Sequence, residues 1–155
     1  MASPTVELVA ALRTTAQRLM QGANYKWSHF GQCNCGHLAQ TVTQLSAKEL
    51  QDAAFARAGD WGEQALEYCP TSGYPVDYVL SRLFELGLEP EDMKHLERLT
   101  DDRILRRLGV ASLLHTRRDH VVSYMLAWAA WLEERLAPED AQQSALAPEL
   151  ALAAE

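Results

Sequence analysis

The chain has 155 residues, of which 48% are hydrophobic and 23% charged, a composition that supports one globular domain with a substantial core and no need of disulfide staples. Lysine and arginine total 14 against 21 aspartate and glutamate, for a net charge of −7, which opposes general attraction to nucleic acid. No run approaches the ~20 apolar residues that cross a bilayer, and Met1 to Glu7 lacks the basic-then-apolar pattern of a secretory leader. The expectation is therefore a cytoplasmic protein without a membrane partner, and its three cysteines point to metal or thiol chemistry, because structural disulfides are rare under reducing conditions.

Ser3 followed by Pro4 reads as a helix N-cap with proline in the first turn, and Leu8, Val9, Leu12, Ala16, Leu19 and Met20 recur at helical spacing. The first helix is predicted from Pro4 to Gln21, closed by Gly22 and Asn24. The stretch from Asn24 to Gly36 has neither a helical nor an alternating period, so it reads as irregular backbone that something must hold. From His37 to Leu45 the pattern is again helical. Ser46 and Glu49 form a capping box for a helix reaching Ala58, and Asp60 with Glu63 repeats the device for a short helix ending near Tyr68.

Cys69 to Pro75 reads as a compact loop. Pro75 opens a helix that carries Val76, Val79, Leu80, Leu83 and Phe84 and closes at Gly87. Pro90 opens another with Met93, Leu96 and Leu99, and Thr100 is the expected cap of the next, which ends at Gly109. A last long helix is predicted over 116–136 from Val121, Met125, Trp128, Leu132 and Leu136, with Trp128 in the core. The fold class is all-α: a single-domain helical bundle of short and long helices over residues 1–137 with an irregular Cys/His-rich segment, followed by an Ala/Glu-rich tail over 138–155.

The chemistry concentrates in His29, Cys33, Cys35 and His37, with Cys69 as a distant third thiol. Thiolate sulfur and imidazole nitrogen suit zinc or iron, whereas calcium and magnesium prefer oxygen. Zinc is the expected metal, with iron or an iron-sulfur cluster as the alternative. The spacing lacks the adjacent Cys-His step of a haem-attachment motif. An extended Cys-x-Cys pair can chelate one ion, and Gly36 is expected to permit the bend that brings His37 back toward it.

Three functions follow from such a centre. Four protein ligands would make the ion structural and leave the molecule to act by binding a protein partner or a second copy of itself. An open position would make a metal enzyme, with Glu63 or Glu67 to carry a proton, and oxidation of Cys33 and Cys35 with ejection of the metal would make a redox sensor. Tyr25, Trp27, Trp61, Tyr68 and Tyr74 lie near these ligands in sequence and are expected to fill core rather than wall a pocket. Arg103, Arg106, Arg107, Arg117 and Arg118, with His115 and His120, form the basic concentration of the chain, expected as a solvated face paired with Glu97, Asp101 and Asp102.

Overall fold

The computed structural model describes residues 1–54, 59–67 and 75–138. Among them there are eight α-helices and no strand, so the all-α class holds. Helix α1 (Val6–Met20) is capped by Thr5 rather than Ser3: the Thr5 hydroxyl accepts from the Leu8 N–H at 3.2 Å and donates to the Leu86 carbonyl at 2.8 Å. Ser3 has a different task, since its N–H donates to the Gly87 carbonyl at 2.8 Å and straps the start of the chain to the end of α5 (Pro75–Glu85).

Helix α2 (Asn34–Thr43) begins inside the segment expected to be irregular. Helix α3 (Ala47–Ala54) has the predicted Ser46/Glu49 capping box, with Ser46 N–H to Glu49 Oε2 at 2.7 Å and Glu49 N–H to Ser46 Oγ at 3.2 Å. The Asp60/Glu63 box starts α4 (Trp61–Leu66) in the same manner, leaving both carboxylates at the surface. Pro90 occupies the first turn of α6 (Pro90–Arg98), where its missing N–H is harmless. Asp101, not Thr100, caps α7 (Asp102–Leu108), because its carboxylate accepts from the Arg103 N–H; the Thr100 hydroxyl meets His95 Nδ1 at 2.9 Å instead. Helix α8 (Arg118–Glu133) is shorter at both ends than predicted, as Arg117 is already extended.

The long helices α1 and α8 pack along each other, joined at the surface by an Arg13–Glu133 ion pair of 2.6 Å. Helix α7 leans on α8, while α2 packs against α1, α3, α5 and α6, and α4 covers α6. One hydrophobic cluster runs from Ala2 to Leu136 and includes Trp128. Trp131 is half-buried beneath the Arg135 guanidinium, 3.6 Å from its ring. No described helix is long and apolar enough to cross a membrane. The expected tail from 139 onward, the last turn expected after Ala54, and the loop bearing Cys69 with Tyr68 and Tyr74 lie outside the described residues.

Candidate functional site

The segment between α1 and α2 is held by hydrogen bonds and packing. Successive bonds from His29 N–H to the Lys26 carbonyl (2.9 Å), Gln32 N–H to the His29 carbonyl (3.0 Å) and Lys26 N–H to the Gln32 carbonyl (3.1 Å) fold it on itself. Phe30 stacks on Trp61 with ring centres 4.3 Å apart, and Gln40 Nε2 donates to the Gly31 carbonyl at 2.6 Å. Gly36 is not a bend, as expected, but part of the regular helix; a Cβ there would stand 2.5 Å from the Gly31 backbone. Glycine is required because the loop lies directly on the helix at that point.

That contact seats the start of α2 against the end of α6. Asn34 Nδ2 donates to the carbonyls of Leu96 (3.2 Å) and Glu97 (2.8 Å), and Trp27 Nε1 donates to the Glu97 carbonyl (3.2 Å), satisfying carbonyls that the last turn of α6 leaves free. Cys33 is the N-cap residue of α2 but makes no side-chain cap bond. Glu97 supplies the anion instead: its Oε2 accepts from the Cys35 N–H at 3.1 Å, where the helix dipole favours negative charge.

The same carboxyl stands beside both thiols. Two residues apart in a helix normally point roughly 200° apart, but Cys33 is still extended (φ −79°, ψ −175°), and this lets both thiols reach one neighbour. Cys33 Sγ accepts from Trp61 Nε1 at 3.0 Å, and Cys35 Sγ lies 3.2 Å from the Met93 carbonyl, to which it donates. All three groups are sealed, with Cys33 and Glu97 3% exposed and Cys35 0%. Burial first, and then the negative charge of Glu97, raise both thiols well above their ordinary range. Burial likewise raises Glu97, against the bonds from the Cys35 N–H and the thiols, and Asp60 adds to the rise.

The histidines are placed differently. His37 follows Cys35 by two helical positions, so it faces away from that thiol; its Nε2 donates to the Asn24 carbonyl at 2.8 Å, and its buried Nδ1 has no hydrogen-bond partner. Burial, together with the positive charges of Arg18 and Arg118, lowers its basicity. His29 is half-exposed, with Nδ1 3.3 Å from Ser28 Oγ. Among the described residues, no three His, Cys, Asp or Glu side chains converge on a point able to hold an ion. Cys69 lies outside the described residues, so the structure brings together Cys33 and Cys35 of the expected ligands and adds Glu97.

Sequence reasoning paired Glu97 with the arginines and missed its true place. The signal was present: Glu97 follows Met93 and Leu96 on the buried stripe of α6, where a carboxylate requires a partner. The arginines have other partners, with Arg103 on Asp101 (2.8 Å), Arg117 on Asp119 (2.6 Å) and Arg107 on Glu134 (3.0 Å). His115 lies tilted against Trp27 with ring centres 4.5 Å apart, and its carbonyl accepts from the Tyr25 hydroxyl. The aromatics near the cysteines thus fill space, Trp61 being 1% exposed. Comparison with protein-family models, curated proteins and solved structures finds no match.

Proposed function

We propose that this chain is a metal-binding helical protein that takes up a soft divalent ion, zinc by donor chemistry, at Cys33 and Cys35, with Glu97 beside them. The observation that supports this reading is the burial of two thiols against one carboxyl, where the neighbouring charges that act on them, from Glu97 and Asp60, are negative. Three acidic groups in such a place must hold their protons or share a cation. A metal ion reverses the balance, since a coordinated thiol loses its proton outright. Cys33, Cys35 and Glu97 do not by themselves form a three-donor group, so a closed zinc site of four donors would have to draw on Cys69, the remaining thiol of the chain.

The burial of the centre favours a structural ion in a protein that acts by binding a partner over an enzyme. It also opposes a resting redox dithiol, because the thiolate is the reactive form and both thiols are held protonated. The loop is already tied down by its own hydrogen bonds, so metal-free protein is expected to keep its helices. Addition of cobalt(II) to metal-free protein tests the reading. Thiolate-to-cobalt charge-transfer absorption that disappears in Cys35→Ser supports it; absence of that absorption, with no zinc in the protein as isolated, removes it.

A further inference from the structure

The flank of α2 from His37 to Thr41 holds a polar arrangement independent of the thiols. Arg18, in the last turn of α1, donates through Nη1 to the His37 carbonyl (3.3 Å) and Thr41 Oγ1 (2.9 Å) and through Nη2 to Gln40 Oε1 (3.0 Å). All three acceptors are neutral, and among the described residues no carboxylate pairs with Arg18. By contrast Arg13, Arg82, Arg98, Arg103, Arg107 and Arg117 each meet one. A guanidinium has five N–H donors. Three bonds are made here, and among the described residues the Nε–H has no acceptor; guanidinium donors of this kind match the oxygens of a carboxylate or phosphate.

Arg18 borders a surface hollow of about 420 Å³ between α1, the C-terminal half of α2 and the first turn of α3, a size that suits a small molecule. Its lining adds the hydroxyls of Thr14, Thr41 and Ser46 and the amides of Gln40 and Gln44. Glu49, the acid in that lining, is turned onto its own helix start, where the Ser46 N–H and hydroxyl hold its carboxyl below the ordinary range. It makes no ion pair with Arg18, although its negative charge stays at the rim of the hollow. Gln40 is fixed as well, through its bond to the Gly31 carbonyl, so the guanidinium is held in one orientation before any ligand arrives.

We propose that this hollow binds a small polar molecule carrying an oxyanion, a carboxylate or a phosphate monoester, with the anion on the free edge of Arg18 and its hydroxyl groups toward Thr14, Gln44 and Ser46. The amide resonances of the protein as isolated are followed in two titrations, one with inorganic phosphate and one with succinate, with sodium chloride keeping ionic strength constant. Saturable shifts confined to the backbone around Arg18 and residues 40–46 are expected, and the anion that produces them identifies the source. Arg18→Gln should weaken that binding by roughly tenfold or more, since a lost charged hydrogen bond is of that size. Thr14→Trp, at an exposed position of α1, should weaken it by closing the hollow. Absence of saturation with both anions overturns the proposal. So does undiminished binding in Thr14→Trp, which carries the test if Arg18→Gln fails to fold.

Discussion

The start of α2 and the flank of its later half each hold one charged side chain and treat it in opposite ways. At the start of the helix Glu97 meets the Cys35 N–H, where the dipole favours negative charge, and further along Arg18 meets the His37 carbonyl and the side chains of Gln40 and Thr41. Glu97 is sealed from water among thiols and is driven toward its protonated form. Arg18 is half-buried and, among the described residues, has only neutral partners. Burial separates the two: the closed end drives Glu97 to hold a proton, and the open end leaves Arg18 its charge.

The contrast breaks most severely at Trp61. Its ring is 1% exposed, stacks on Phe30 and donates to Cys33, so Trp61→Ala should destabilise the fold by about 3–5 kcal/mol in urea unfolding, the usual range for an emptied aromatic site. A loss under about 1 kcal/mol would show that the closed end is not closed. Gly36→Ala comes next. Alanine favours a helix over glycine by about 1 kcal/mol, yet its Cβ would lie 2.5 Å from the Gly31 backbone; a net loss of roughly 1–3 kcal/mol is expected from the forced shift. A stabilised variant would mean that the loop does not rest on α2.

Gly36 also marks where the sequence stopped being readable. The helical stripes of α1, α5, α6 and α8 and the capping boxes at Ser46 and Asp60 were legible because local patterns encode them. The start of α2 was not, since Cys33, Asn34, Cys35 and Gly36 carry no apolar period, and their helix is capped by Glu97 from a distant part of the chain. Glycine read locally as a bend, whereas packing against Gly31 makes it a helical contact. Metal ligands were drawn from a sequence cluster, but regular helical geometry directs His37 away from Cys35 and brings in a carboxylate that no spacing rule links to the cysteines. The basic segment was read correctly as a paired surface for Arg103, where Asp101 is its neighbour in sequence.

The pH dependence of metal-free, chelator-treated protein sharpens the closed end. Glu97 is raised in the fold above its ordinary value of 4.5, so the unfolded chain releases that proton first and stability falls as pH rises from there through the native value. The thiols act with the same sign at alkaline pH, where stability falls above their ordinary value of 9.0. His37 has the opposite sign: lowered from 6.5, it is protonated first in the unfolded chain, and its contribution is lost as pH falls below that value. Glu97→Gln should flatten the slope between weakly acid and neutral pH while leaving the alkaline limb intact. An unchanged slope in urea unfolding across that range would show that Glu97 is already ionised in the fold.

The smallest effect is expected at the open end. Arg18→Gln removes three hydrogen bonds from a half-exposed guanidinium to neutral acceptors, and each contributes well under the roughly 1.5–3 kcal/mol of a bond to a buried charge because water takes its place. The His37 carbonyl also accepts from the Thr41 hydroxyl at 3.2 Å, and Gln40 keeps its bond to Gly31, so neither is orphaned. A net loss of about 1–2 kcal/mol in urea unfolding is therefore expected, against the several lost at Trp61. If Arg18→Gln instead destabilises the fold as much as Trp61→Ala, the guanidinium is a pin of the core. The start of α2 and its later flank would then differ in exposure alone, and not in what they are built to bind.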